Sequence, residues 1–306
     1  MDSHILDNNR LTKGGIRMNN LYIIGNGFDL HLNLETNVDD YIKILKDTPS
    51  SIYHDDAFSI FNNYGVDWGE YEESLANIYL DEIEEDNITF PDYSSDHEGD
   101  RQSCVWNMQS YLEELNRLKN EALCKMIEKA NKKIEELLYS NNKIDCLKGA
   151  KAIVSFNYTS SLEKLFYLDK NIKILHIHGF YEKDKNNLIF GYKEARNDYK
   201  KRFAKNEEDY DYYVESQKEE IYNFYLGLRK NIQTDKLIEF LSEFKDIDNI
   251  IVLGHSMSGV DIEYMETIHR LYNDAKWYVS YYKDIDKIKN NISKLSFKNR
   301  IELFSW

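Results

Sequence analysis

Short, mostly apolar runs alternate along this chain with longer stretches in which apolar residues recur at spacings of three and four. The short runs are typical of strands buried on both faces, and the longer spacing is typical of amphipathic helices. Strands are predicted at 21–24, 152–156, 173–177, 249–253, 277–281 and 301–304, with a further short strand at 188–192. Strands separated by helices predict an α/β fold with a doubly wound, mostly parallel, Rossmann-like sheet.

The helical spacing is clearest between the first and second predicted strands. An amphipathic pattern follows Thr36, another helix is predicted from Trp68, and one long helix is predicted from Val105 to Leu137. Residues 81–101 are predicted to form a loop, because they are acidic and contain a proline and a glycine. A further helical pattern, charged and rich in tyrosine, covers residues 198–245.

These elements predict a single Rossmann-like domain over residues 18–306, with helical insertions at about 38–147 and 198–245. Residues 1–17 are polar, and we interpret them as a disordered leader or as an upstream stretch read past the true start. The second interpretation places the true start at Met18, because a Lys-Gly-Gly stretch shortly before a Met resembles a translated bacterial ribosome-binding site.

Composition narrows the environment and the partners. Hydrophobic residues make up 42% of the 306, enough for a sizeable core, and the formal net charge of −15 argues against broad nucleic-acid binding. The three cysteines are scattered without Cys-x-x-Cys spacing, which favours free thiols in a reducing compartment. No apolar run approaches the ~18 residues of a membrane span, so we expect a cytoplasmic protein without membrane partners.

Four predicted strands end in glycine or polar residues. The ends are Gly25-Asn26-Gly27-Phe28-Asp29, Asn157-Tyr158, His178-Gly179 and Gly254-His255-Ser256. Because the carboxyl ends of parallel strands meet at one edge of a sheet, where ligands of α/β folds bind, these residues predict a nucleotide site. The first end would form one wall, since glycines let the backbone approach a ligand and amides after Gly25 can hold a pyrophosphate.

Plainer interpretations stand beside this one. A Gly-x-Gly after a strand is often only a tight turn, and Leu30 occupies the third glycine position of the dinucleotide fingerprint. Asp29 and Asp261 are candidates for helix caps, and Asn157 for a turn residue. His255, and one of the His176 and His178 pair, are candidates for packed or satisfied histidines.

The four strand ends, taken as motifs, resemble the bacteriophage abortive-infection AbiH family over about residues 18–270. The motifs are Gly25-Asn26-Gly27-Phe28-Asp29, Ser155-Phe156-Asn157-Tyr158-Thr159, His176-Ile177-His178-Gly179 and Gly254-His255-Ser256 followed by Asp261. More distantly, the series is similar to the sirtuin-like fold. The resemblance implies a bacterial antiphage protein whose phage trigger is unknown.

The sirtuin-like resemblance implies NAD as ligand or substrate, with no permanently bound cofactor and no metal. It implies Asn157 as the group that positions the nicotinamide ribose and His178 as a base, with Ser256 near a ribose. Asn26 and Asp29 depart from the alanine and serine of that family, and its zinc module is missing. The resemblance therefore implies hydrolysis of the nicotinamide–ribose bond rather than protein deacylation.

Two alternatives of other classes remain open. The same site residues are compatible with a nucleotide sensor that triggers a partner without turnover. Gly254-His255-Ser256-Met257-Ser258 also approaches the nucleophile elbow of α/β-hydrolases, with Ser256 as nucleophile and a serine at the second glycine position. Only His269 follows that serine, on a predicted helix, which disfavours the hydrolase. The oligomeric state, including a homo-oligomer, is left open.

Overall fold

A computed structural model describes residues 19–50, 54–62, 65, 67–140, 147, 149–166, 168–169, 171–195 and 199–306. The predictions made for residues 1–17 and for a start at Met18 lie outside the described residues.

A parallel sheet is the main element of the fold. Its six described strands are β1 (Asn20–Ile24), β2 (Ala150–Ser155), β3 (Lys173–His176), β4 (Asn249–Leu253), β5 (Lys276–Tyr281) and β6 (Ile301–Ser305). They lie in the order β3-β2-β1-β4-β5-β6, and every neighbouring pair is parallel. This is the order of the Rossmann fold, and it confirms the predicted α/β class with a doubly wound parallel sheet.

Helices follow the strands and pack on both faces of the sheet. The α-helices are α1 (Asn26–His31), α2 (Val38–Asp47), α3 (His54–Phe61), α4 (Trp68–Ser74), α5 (Leu80–Asn87), α6 (Glu98–Ser140), α7 (Ser161–Leu165), α8 (Tyr212–Gly227), α9 (Thr234–Leu241), α10 (Ile262–Leu271) and α11 (Ile285–Ser293). The helices predicted after Thr36, from Trp68 and over 105–137 are confirmed by α2, α4 and α6.

Alternate residues of the central strands enter opposite layers of the core. Leu21 and Ile23 of β1 pack in a cluster with residues of α9, α10 and α11, whereas Tyr22 and Ile24 pack with residues of α1, α7 and the last part of α6. Because successive strand side chains point to opposite faces, a strand covered on both sides must be apolar throughout. This is why β1 and β4 are short unbroken apolar runs in the sequence.

The chain divides into two compact units where the sequence predicts one domain with insertions. The first unit contains the sheet and comprises the described residues up to Asn37, Met126–Ile189 and Ile232–Trp306. The second comprises Val38–Lys125 and Phe190–Asn231. The predicted insertions therefore overlap the second unit, but α9 and the end of α6 belong to the first, because their apolar residues pack on the sheet.

The second unit has an aromatic core with a buried ion pair. Tyr41 and Tyr71 are fully buried and pack edge to face, and Phe190 stacks on Tyr71 with 6.0 Å between ring centroids. Lys230 donates hydrogen bonds of 3.0 and 2.9 Å to the two carboxylate oxygens of Glu72, and both residues are buried. Buried charges are tolerated only when they are paired in this way.

Two predictions of local structure are wrong. The acidic stretch 81–101 is not one loop, because α5 covers its beginning and α6 starts at Glu98. Both helices have acidic residues in their first turn, where a carboxylate interacts favourably with the helix dipole. Residues 188–192 form no strand either. The amide of Ile189 donates to the His178 carbonyl in the first unit, while Tyr192 bridges to Arg229 in the second.

The strand order reverses between β1 and β4, and the chains that leave these two strands pack directly on each other. The Gly27 amide donates to the Gly254 carbonyl at 2.7 Å, and a Cβ on Gly27 would lie 2.8 Å from the Gly254 Cα. A Cβ on Gly25 would lie 2.6 Å from the His255 Cα. Contact between two chain segments therefore accounts for the glycines at these two positions.

Gly254 is the most constrained of these glycines, and we predict that Gly254→Ala strongly destabilises the fold. Its φ of +65° is left-handed, and an added Cβ would overlap the amide nitrogen of Phe28. We expect a loss of about 2–5 kcal/mol in the free energy of unfolding, from backbone strain and overpacking together. Denaturant unfolding measures it.

Gly99→Ala is the matched control, since nothing lies within 4 Å of a Cβ at this helical position. Its stability should stay equal or rise slightly, because alanine favours helices over glycine. If Gly254→Ala were as stable as this control, the packing described for the two segments would be incorrect.

Candidate functional site

The four polar strand ends lie along one edge of the sheet, as the sequence predicts. The parallel order places the ends of β3, β2, β1 and β4 next to one another, with the reversal of strand order between the last two. In open α/β sheets this reversal leaves a crevice at the carboxyl edge where ligands bind. The candidate site is built from the residues that follow these four strands.

Asn157 presents an amide with no hydrogen-bond partner in the described part of the chain. The residue is only 4% exposed, yet neither its Oδ1 nor its Nδ2 makes a hydrogen bond. Its backbone is held firmly, because the backbone N–H of Asn157 donates to Ser155 Oγ at 3.2 Å and the backbone carbonyl lies 2.9 Å from Nδ1 of His176. Buried polar groups are rarely left without partners, which makes this side chain a candidate for contact with a ligand.

Asp29 is buried beneath the segment that joins β2 to α7. Thr159 Oγ1 donates to its Oδ2 at 2.6 Å and Ser161 Oγ donates to its Oδ1 at 2.7 Å. Asp29 lies inside α1 and does not cap a helix through its side chain. The carboxylate thereby ties the end of β1 to the end of β2 and fixes the backbone on which Asn157 is carried.

Burial raises the pKa of Asp29 from its ordinary value of 3.8, because a carboxylate inside the protein loses its hydration. The hydroxyls of Ser161 and Thr159 oppose this by donating to the charged form. The side-chain amide of Asn157 also lies close enough to lower the pKa of Asp29, although the two groups lack the geometry of a hydrogen bond.

The side chains of His178 and His255 both face the carboxylate of Asp261. Nε2 of His178 lies 3.4 Å from Asp261 Oδ1, and Nε2 of His255 lies 3.5 Å from Asp261 Oδ2. Both histidine side chains are 5% exposed and that of Asp261 is 13% exposed. Asp261 makes no capping hydrogen bond to α10, so the helix-cap interpretation does not hold.

Aromatic rings surround the two histidines. The ring of Phe156 packs edge-on against His178 at 4.9 Å and against His255 at 4.4 Å. Tyr158 lies 6.4 Å and Tyr264 5.9 Å from the His178 ring. The residues on either side of Asn157 thus contact His178, which places the amide and the imidazole on the same short stretch of the sheet edge.

The backbone of His178 is also held in place. Its carbonyl accepts a hydrogen bond of 2.7 Å from the Ile189 amide, and the chain turns away at Gly179, whose φ is +100°. His176, two residues earlier, is satisfied internally, since its Nδ1 contacts the Asn157 carbonyl and its Nε2 lies 2.8 Å from Glu163 Oε1. This confirms the expectation that one histidine of the pair has a structural role.

Other residues predicted for the site are engaged in the framework. Nδ2 of Asn26 donates to the Thr36 carbonyl at 2.8 Å. Phe28 is buried against the rings of Phe166 and Trp306. The Phe28 amide donates to the Gly25 carbonyl, so this amide and that of Gly27 already have acceptors. The predicted role of this segment in holding a pyrophosphate gains no support from these contacts.

Ser256 lies beside the site without the partners of a nucleophile. Its Oγ is 2.7 Å from Ser258 Oγ, and its carbonyl accepts a hydrogen bond from Nδ2 of Asn291. His269, the histidine that a hydrolase mechanism would need, stacks on Phe297 at 4.4 Å. Among the described residues no histidine hydrogen-bonds to Ser256, which disfavours the α/β-hydrolase alternative.

A family model described as bacteriophage abortive infection AbiH matches residues 21–281. The chain belongs to this family. Membership implies a role in abortive infection, by which bacteria defend against phage, and the four motifs of the sheet edge all lie within the matched segment. A search of curated proteins finds no match for this AbiH-family chain.

The described residues of this AbiH-family chain have two further properties. None of their helices combines the length and hydropathy needed to cross a membrane. They also contain no group of three or more His, Cys, Asp or Glu side chains arranged to hold a metal ion.

Sequence reasoning missed three residues that organise the site: Thr159, Ser161 and Met257. Thr159 and Ser161 follow Asn157 closely in the sequence, and a buried carboxylate such as that of Asp29 needs hydroxyl donors. Their position near the end of β2 could therefore have indicated them as partners of Asp29. Met257 donates its amide to Nδ1 of His255 at 3.0 Å and has a φ of +56°. Nothing in the sequence marks a methionine for a left-handed conformation.

The buried Asp29 predicts a pH dependence of stability. An acid with a raised pKa keeps its proton in the folded protein at a pH where the unfolded chain has lost it. Between 3.8 and the raised folded value, the free energy of unfolding therefore falls as the pH rises. Asp29→Asn removes this titration, so its stability should improve relative to the wild type across that window, as measured by denaturant unfolding at several pH values.

Asp29→Ala is the contrasting variant. It removes the acceptor of both hydroxyls and leaves a cavity, so we expect a loss of roughly 2 kcal/mol or more at every pH. A constant stability difference between Asp29→Asn and wild type across the whole pH range would contradict the raised pKa.

Proposed function

We propose that this AbiH-family chain binds NAD at the carboxyl edge of its sheet and hydrolyses the nicotinamide–ribose bond during phage infection. The single observation that carries the proposal is the unpartnered, buried side-chain amide of Asn157 at the end of β2, which is next in the sheet to β3, the strand that His178 follows. An amide supplies one donor and one acceptor, which suits the hydroxyls of a ribose or an attacking water. The sirtuin-like order of the four motifs supports NAD as the nucleotide.

The reaction assigns a distinct task to each group. The oxygen of a water molecule forms a bond to the ribose C1′ while the bond from C1′ to the nicotinamide nitrogen breaks. The electron pair of that bond leaves with nicotinamide, which becomes neutral, and the water proton passes to His178. The products are ADP-ribose, nicotinamide and one proton. Asn157 orients the ribose or the water, and the imidazole acts as general base.

The charge of Asp261 supports this assignment. A histidine that accepts a proton becomes an imidazolium, and a carboxylate 3.4 Å away stabilises that cation. The His178 side chain is only 5% exposed among the rings of Phe156, Tyr158 and Tyr264, so the electrostatic interaction is stronger than it would be in solution. Acid–base help of this kind typically contributes about 10²–10⁴-fold to a rate.

A non-catalytic NAD sensor is the second candidate, because the same buried amide would bind a ribose without turnover. The two functions differ in one measurable property. A sensor is stabilised by NAD through mass action and releases no nicotinamide, whereas an enzyme does both.

The test is to incubate the purified protein with NAD and to follow nicotinamide and ADP-ribose by chromatography, with thermal unfolding recorded in parallel. His178→Ala should lower turnover by about 10²-fold or more and retain most of the NAD-induced stabilisation. Asn157→Ala should lower turnover and weaken binding, since it removes hydrogen bonds worth roughly 1 kcal/mol each. His97→Ala is the matched control, because this histidine is exposed and lies in the second unit.

Each outcome separates the candidates. Unchanged turnover in His97→Ala, with loss in both site variants and loss of phage protection in cells, supports the enzyme. Stabilisation by NAD without nicotinamide release in the wild type supports the sensor. Absence of both effects overturns NAD as the ligand and leaves the family membership and fold unaffected.

A further inference from the structure

The two histidines that share Asp261 are not equivalent, and the difference lies in their second ring nitrogen. The Met257 amide donates a hydrogen bond of 3.0 Å to Nδ1 of His255. A backbone N–H is only a donor, so Nδ1 of His255 carries a lone pair and the proton of the neutral ring is on Nε2. That Nε2–H faces Asp261 Oδ2 at 3.5 Å.

The conformation of Met257 shows that this arrangement is imposed by the fold. Its side chain is fully buried, and its backbone has a φ of +56°, which is unfavourable for a residue with a Cβ. Strained residues of this kind persist only where the surrounding structure determines them, and they concentrate at functional sites. Here the strained residue directs its amide at the one nitrogen of His255 that would otherwise accept a proton.

We propose that Asp261 is a positioning residue that faces the Nε2–H tautomer of His255 through Oδ2 and stabilises the imidazolium of His178 through Oδ1. His255 cannot take up a proton at Nδ1 without losing the Met257 hydrogen bond. The proton-accepting role therefore falls to His178. The three residues form one proton-accepting unit with a single active imidazole.

The groups that face the two rings are consistent with this division. His178 faces Asp261 from the segment after β4 and the rings of Phe156, Tyr158 and Tyr264. The hydroxyl of Tyr264 accepts a hydrogen bond from the Gln233 amide at 2.8 Å. His255 faces Phe156 and the same carboxylate. The carboxylate of Asp261 thus lies within 3.5 Å of a ring nitrogen of each histidine.

This role deepens the proposed function, because it explains why His178 and not His255 serves as base, but its test does not require turnover. Histidine-selective ¹⁵N labelling and long-range ¹H–¹⁵N correlation spectra report which ring nitrogen carries a proton. The spectra are recorded over a pH titration of the full chain. His178→Gln and His255→Gln assign the two signals by their disappearance.

In the wild type, the neutral ring of His255 should show an unprotonated Nδ1 and a protonated Nε2. In Asp261→Asn, the titration midpoint of His178 should fall by about one pH unit or more, because the imidazolium loses its carboxylate. His97 and His269 serve as internal controls, and their signals at each pH should be the same in Asp261→Asn as in the wild type. Asp261→Glu, which restores the charge, should return the midpoint toward that of the wild type.

Several results would overturn the assignment. The opposite tautomer of His255 in the wild-type spectra, assigned with the two Gln variants, would do so. So would an unchanged His178 midpoint in a folded Asp261→Asn. If NAD is hydrolysed, the acid limb of the pH–rate profile should move to lower pH in the same variant, a change that a purely structural role would not produce. If NAD is not hydrolysed, the proposed function fails while the spectra still decide the role of Asp261.

Discussion

The close contact between the chain segments leaving β1 and β4 is the constraint on which the rest of the structure depends. Gly254 adopts a left-handed conformation that places its carbonyl against the Gly27 amide, and neither position leaves room for a side chain. Because these two segments flank the point where the strand order reverses, their packing decides where α1 begins and where the chain after β4 turns. The carboxylate of Asp261 and the ring of His255 reach the sheet edge only because of that turn.

The site combines a rigid, satisfied framework with a few groups left for chemistry. Asp29 is entirely buried and its two oxygens are used by Thr159 and Ser161, so it holds the β2 end instead of presenting charge to a ligand. Asn157 is fixed through its backbone but not through its side chain. Such division is physically reasonable, since a binding group must be held to within a fraction of an ångström while its own polar atoms stay available.

Much of the fold followed from the hydrophobic pattern, whereas only part of the site did. Strands buried on both faces leave unbroken apolar runs, and for this reason all six strands of the sheet were predicted. The stretch 81–101 was wrongly predicted to be a loop, because acidic residues are favourable both in turns and in the first turn of a helix. Leu80 and Ile83 of α5 are buried by packing within the second unit, which the local sequence does not reveal. At the site, the rule that parallel strands end at one edge predicted that Asn157, His178 and His255 lie along the same edge. It did not predict which groups each side chain contacts.

The sequence by itself determined the α/β class and the strand positions, because these depend on local periodicity. It also determined that four polar strand ends lie along one edge of the sheet, because the carboxyl ends of parallel strands lie together. Only the tertiary structure decided the roles within that edge. Whether Asp29 supports the framework or contacts a ligand depends on two hydroxyls about 130 residues away in the chain. Which ring nitrogen of His255 accepts a hydrogen bond depends on the left-handed backbone of Met257. Hydrogen bonds act over about 3 Å, and residue spacing cannot specify distances of that size between distant segments.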